Sequence, residues 1–249
     1  STVAFSPDGK TLATASDDDH NALKDLGTYG FIHGANGFII GALKPAAKDL
    51  EDFGYQLERI ILFATQLGLE TCWLGGTFTQ SAFAQKIAAT SRERVPAVAS
   101  LGAIKNPEEA RRGLIRRQVK GDYRLEWANL FFAGSFETPL APEAAGAYVT
   151  PLEMVRIGPS ASNKQPWRIV RAGENWHFYL QRTPGYREGV AQRFLKLTDL
   201  QRLDMGIAMC HFELTARELG LGGGWQIREP EIAKPDELTE YTVSWALNL

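Results

Sequence analysis

Cysteine and histidine are scarce in this chain, with two and four residues among 249. Cys72 and Cys210 lie in apolar, helix-like surroundings and are too few for a disulfide scaffold, which points to a reducing, cytoplasmic setting. His33, His177 and His211 have no carboxylate or second ligand at metal spacing, so each is expected to be a buried, hydrogen-bonded histidine. There is no apolar run of membrane-spanning length and no basic-then-apolar signal segment, so no membrane partner is expected. Positive charge is not in excess either: 27 basic against 29 acidic residues give a net charge of −2 and a pI near 6.1. That balance argues against a nucleic-acid partner. Phosphate-binding P-loop and Gly-x-Ser-x-Gly motifs are missing. The glycine-rich run at residues 220–224 follows a helical stretch, not a strand, and so fails as a dinucleotide loop. What is present is a 44% hydrophobic chain, ample for one large domain or two ordinary ones.

Residues 1–26 stand apart from the rest of the chain. Val3-Ala4-Phe5-Ser6-Pro7-Asp8-Gly9-Lys10-Thr11-Leu12-Ala13 reads as strand, turn, strand, and resembles part of one WD40 repeat. No second copy occurs, and a propeller needs several blades, so this leader is expected to lie outside the main fold. A glycine-punctuated strand pair, or a strand against a tight turn, is expected at residues 31–43. Next, Leu50, Phe53, Leu57, Ile60, Ala64 and Leu67 recur three and four apart, which predicts a long amphipathic helix. Acidic residues fill its first turn and Gly68 stops it. A short helix near residues 81–88, a strand over 95–104 and a charged helix opened by Pro107 come after. Residues 123–146 read as a connection between two similar halves.

Those halves repeat one another. Asp52 superposes on Asp204, Gly54 on Gly206, Leu62 on Leu214, and Trp73 on Trp225, each pair 152 residues apart without a gap. Leu67-Gly68-Leu69 falls on Leu219-Gly220-Leu221, and the apolar stripe recurs in Met205, Met209, Phe212, Ala216 and Leu219. We read an internal duplication of one α+β unit, with halves at 27–148 and 149–249 and mixed sheets and helices. Matching stripes would pack around a pseudo-two-fold axis, as in a pseudo-dimer, leaving a monomeric chain.

The polar loop Pro159-Ser160-Ala161-Ser162-Asn163-Lys164-Gln165-Pro166-Trp167 lies between an apolar helix, which Gly158 could end as a left-handed cap, and a strand starting at Trp167. Its small hydrogen-bonding residues suit a planar heterocycle with N–H and C=O groups on its edge. They equally suit a capped turn whose polar groups satisfy one another. Arg116 and Arg117 belong either to a solvated helix face or to a phosphate site. Trp176-His177-Phe178-Tyr179-Leu180 pairs back on residues 167–171 as a core hairpin.

The polar loop, together with Leu67-Gly68-Leu69-Glu70-Thr71-Cys72-Trp73-Leu74-Gly75-Gly76, resembles the nitroreductase family, in its branch with two half-units fused in one chain. The resemblance runs from about residue 27 to the end. It implies an FMN enzyme that takes hydride from NAD(P)H and reduces a small-molecule electron acceptor, a nitroaromatic or quinone, by a ping-pong relay. It places the backbone of Pro159, Ser160 and Ala161 and the amide of Asn163 against the flavin, with Gln165 supporting the loop. It sets Leu74, Gly75 and Gly76 beside the isoalloxazine ring and Arg116 or Arg117 near the ribityl phosphate. No nucleophile, general base or metal is implied. Family chains usually open with an Arg/Ser-rich segment that grips the phosphate, and none precedes Gly27. Losing two charge-assisted bonds, at about 1.5–3 kcal/mol each, would weaken FMN binding roughly a hundred-fold to ten-thousand-fold. The alternative expectation is therefore a non-catalytic remnant with weak or no flavin binding.

Overall fold

Alternation along one short strand decides how the first sheet is covered. In the computed structural model, Phe38 and Ile40 of β3 (Gly37–Gly41) are buried against one apolar group and Ile39 against another. Successive side chains of a strand point to opposite faces, so this sheet has a core on each side. The structure describes residues 2–5, 12–15, 35, 37–75, 80–103, 120–185 and 198–247, with 2–5, 12–15, 80 and 81 described through their backbone.

The chain divides into two compact units, Ser1–Gly113 with Lys196–Leu200, and Leu114–Leu195 with Gln201–Leu249. In the first, α1 (Asp49–Gln66), β4 (Glu70–Leu74), α2 (Gln80–Lys86) and β5 (Val98–Gly102) follow β3. Phe38, Ile40, Leu74 and Val98 pack with Phe83 of α2, the two phenylalanine rings edge to face at 5.1 Å. On the other face Ile39 and Ala99 pack with Leu57 and Ile61 of α1. The buried stripe of α1 is thus turned slightly from the expected one: Ile61 takes the core position, and Leu67 is 60% exposed past the helix end. Gly68 follows with φ 76°, the left-handed conformation that stops a helix at little cost to glycine.

The leader does not stand apart. Its strands β1 (Thr2–Phe5) and β2 (Leu12–Ala15) complete the first sheet in the order β2-β1-β3-β5-β4, with β1 parallel to β3. Extended backbone next to an open sheet edge gains a row of ladder hydrogen bonds, and that outweighs the hairpin's resemblance to a propeller piece. Of the strand pair, or strand against a tight turn, expected at 31–43, the described part is the single strand β3. His33 and the helix expected after Pro107 lie outside the described residues.

The second unit holds β6 (Phe131–Ala133), α3 (Val149–Ile157), β7 (Trp167–Ala172), β8 (Asn175–Gln181), α4 (Leu200–Glu218), β9 (Gly224–Gln226) and β10 (Thr239–Ala246). The sheet order is β6-β7-β8-β10-β9. Residues 123–146, expected as a connection, belong to this unit and supply β6, which runs parallel to β7. Phe212 of α4 is fully buried and meets Tyr148, Trp176, Phe178, Trp225 and Trp245 at centroid distances from 5.2 to 6.2 Å. Each buried ring of this kind contributes about 1.5–3 kcal/mol.

Strand, helix and two strands recur as β3-α1-β4-β5 and β8-α4-β9-β10, and in both sheets the last strand in sequence sits between the other two. The outer strands differ. β7 joins β8 as an antiparallel hairpin, whereas β1 joins β3 in parallel. Among the described residues no helix is long and apolar enough to cross a membrane.

Candidate functional site

The polar loop is built from α3 forward. Gly158 ends α3 with φ −54° and ψ 153°, extended and not left-handed as expected. Space is tight there: a Cβ would stand 3.1 Å from the Val155 carbonyl oxygen, which accepts the Gly158 N–H. The terminal carbonyl of Ile157 is capped by Arg124, whose Nε and Nη2 donate to it at 3.1 and 2.9 Å.

Beyond Pro159 the chain makes one 3-10 turn, Ala161–Asn163, before entering β7. Three non-glycine residues take left-handed backbone angles within four positions: Ser162 at φ 51°, Asn163 at 53° and Gln165 at 49°. Such conformations cost on the order of 1–2 kcal/mol per residue and persist only where surrounding contacts over-determine them. Those contacts are visible. The Gln165 N–H donates to Ser160 Oγ at 2.9 Å. Gln165, 1% exposed, accepts the Leu125 N–H on Oε1 at 2.8 Å and donates through Nε2 to the carbonyls of Tyr123 and Asn163. Asn163 Nδ2 donates to the carbonyls of Lys120 (2.7 Å) and Tyr123 (2.9 Å), and its Oδ1 accepts Arg124 Nη1 at 3.3 Å. Arg168 closes the far end by donating to the Gln165 carbonyl at 3.1 Å; burial pulls its guanidinium pKa down. From α4, Asp204 accepts the Ala161 N–H on Oδ1 at 2.9 Å.

Much of the loop's polarity is therefore spent inward. Among the described residues, the N–H groups of Ser160 and Ser162 and the Ser162 hydroxyl make no hydrogen bond, and Ser162 is exposed. The turn thus leaves two amide donors and a hydroxyl without a protein partner among the described residues. Such a surface can hold the carbonyl edge of a planar ring without rearranging.

A protein-family model described as "Putative TM nitroreductase" matches residues 7–216 of this sequence. The chain belongs to that family. This nitroreductase-family protein is accordingly an oxidoreductase. It is similar to a solved structure of a putative nitroreductase from Thermotoga maritima MSB8, with a TM-score of 0.54 and 23% sequence identity over 85% of this chain and 71% of that one. At that identity the likeness shows the shared fold. No curated protein matches the sequence.

The other residues that sequence reasoning singled out fall as follows. Leu74 is 4% exposed, and its side chain belongs to the first unit's core. Gly75 comes next, and a Cβ there would stand 2.7 Å from Leu200, a residue of the same unit. Gly76, Arg116 and Arg117 lie outside the described residues. His177 is buried with its Nδ1 at 2.7 Å from Ser244 Oγ, and burial lowers its pKa. Sequence reasoning overlooked Arg124 and Asp204 as loop-holding residues. Residues 120–125 had no motif, and Asp204 served only to set the register of the repeat.

Proposed function

We propose that this oxidoreductase uses FMN, held on loop 159–165, to pass electrons from NADH or NADPH to a small-molecule acceptor such as a nitroaromatic or quinone. The observation that carries the reading is the pair of unbonded amide donors, Ser160 and Ser162, on a turn whose left-handed residues are held by side-chain bonds from Gln165, Asn163, Arg168 and Asp204. That donor set fits the carbonyl-bearing edge of an isoalloxazine ring. When bound, FMN supplies the hydride chemistry. The chain's own contribution is to bind and orient: Ser160 and Ser162 donate, Gln165 and Asn163 hold the turn, and Asp204 ties it to α4. Leu74, Gly75 and Gly76 beside the ring, and Arg116 or Arg117 at the phosphate, remain part of the proposal as the family resemblance assigns them. So do a monomeric chain, the duplication of one unit and a cytoplasmic setting.

The test uses purified protein reconstituted with FMN under anaerobic conditions. Bound flavin should bleach on adding NADH or NADPH and recover its colour with a nitroaromatic or quinone. A protein that never takes up FMN fits the non-catalytic remnant instead.

A further inference from the structure

Two aspartates occupy matching places in the repeat, yet their surroundings differ. Asp52 on α1 is exposed, whereas Asp204, 152 residues later on α4, is 2% exposed. Among the described residues the polar loop stands beside the second. There the Asp204 carboxylate accepts the Ala161 N–H at 2.9 Å, in the middle of the 3-10 turn. This bond reaches from a long helix to the loop's centre, while the others tie the loop to residues 120–125 and to its own flanks. Its position in the sequence of amides is informative. The Ala161 N–H is taken by Asp204, and the N–H groups of Ser160 and Ser162 on either side make no hydrogen bond among the described residues. A carboxylate accepting a buried amide is about twice as strong an anchor as a neutral group. It can therefore select the alternating arrangement against the other forms open to a loop with three left-handed residues.

We infer that Asp204 is the positioning residue that fixes loop 159–165 in its donor-presenting form, turning the Ala161 amide inward so that Ser160 and Ser162 face outward. The value of that form for flavin rests on the function proposed above; the hold of Asp204 on the loop does not.

Amide hydrogen exchange on the flavin-free, full-length protein tests the assignment directly. In the unmodified chain the Ala161 amide should be protected, with the amides of Ser160 and Ser162 exchanging freely. Asp204→Ala should speed exchange in the peptide spanning 159–165 by about tenfold to a hundred-fold, the equivalent of one lost charge-assisted bond. Asp204→Asn keeps an oxygen acceptor and should restore most of the protection, and Asp52→Ala should change nothing. An effect spread evenly over α4 and the loop, or an Ala161 amide that exchanges as fast as its neighbours in the unmodified chain, overturns the assignment. The latter measurement needs no variant, so a misfolded Asp204→Ala protein leaves the test intact. FMN titration separates the two layers. Asp204→Ala should bind FMN at least about tenfold more weakly, with rescue by Asp204→Asn. A protected Ala161 in a protein that ignores FMN supports the role of Asp204 and removes the flavin reading alone.

Discussion

The indole N–H of Trp225 donates to the carboxylate of Glu213 at 2.7 Å, joining β9 to α4. The first unit solves the same problem with Trp73 and Glu58 at 2.8 Å, joining β4 to α1. At the spacing of 152 residues that separates the two tryptophans the glutamates do not coincide: Glu213 falls on Ile61, one helical turn beyond Glu58. Each helix thus supplies its carboxylate from a different turn. Glu213 also binds Arg217, whose Nε donates to it at 2.7 Å.

Removing Glu213 strands a part-buried indole N–H and deprives Arg217 of its partner. Glu213→Ala should cost about 1–3 kcal/mol. Urea denaturation monitored by tryptophan fluorescence would show it as a lower midpoint with unchanged slope. A midpoint equal to that of the unmodified protein would mean the bond is not made.

Ser162 sits at φ 51°, where a Cβ is penalised, and its hydroxyl serves no described residue. Ser162→Gly should therefore raise stability by up to about 1 kcal/mol. The same change should weaken FMN binding by removing the hydroxyl and loosening the turn. Opposite signs in a thermal melt and an FMN titration are the expected pair; a loss in both would show that the hydroxyl supports the fold.

Asn163 and Asn175 separate site from scaffold. Asn163 is tied to the carbonyls of Lys120 and Tyr123, whereas Asn175 begins β8 in the hairpin on the far side of β7. Asn163→Ala should lower FMN retention on desalting and cost about 1–2 kcal/mol. Asn175→Ala should leave retention as it was. Equal retention in the two variants would take the loop out of the site.

Burial holds the His177 pKa below its unfolded value near 6.5, so the folded state keeps the ring neutral beside Ser244 and Tyr241. The unfolded chain then binds the extra proton. The stability due to the neutral ring is complete above about pH 6.5 and declines as the pH falls through the lowered folded value. Between pH 7 and pH 5 the unmodified protein should lose more stability than His177→Gln, in chemical denaturation at the two pH values. Parallel losses would remove His177 from the acid sensitivity.

The sequence carried the family and the helical frame because both rest on local patterns. The α1 stripe, its glycine stop and the β7–β8 hairpin were readable from periodicity and turn chemistry, and the strand at residues 98–102 from its apolar run. What escaped was set by tertiary partners. Whether residues 2–5 join a sheet depends on an edge 36 positions later, which no local pattern encodes. Gly158 looked like a left-handed cap because glycine usually is one there; only the folded chain shows the Val155 carbonyl that would crowd a Cβ. The polar loop was open to two readings, and both describe part of it. Gln165, Asn163 and Ala161 satisfy partners in the protein, while the N–H groups of Ser160 and Ser162 do not among the described residues.

The visible absorption spectrum of the purified protein with saturating FMN, taken after free flavin is removed and again after NADH or NADPH is added without oxygen, tests the central claim most directly. A retained flavin band that bleaches with the nicotinamide donor is the predicted result. A colourless protein that stays colourless at every FMN concentration would contradict it.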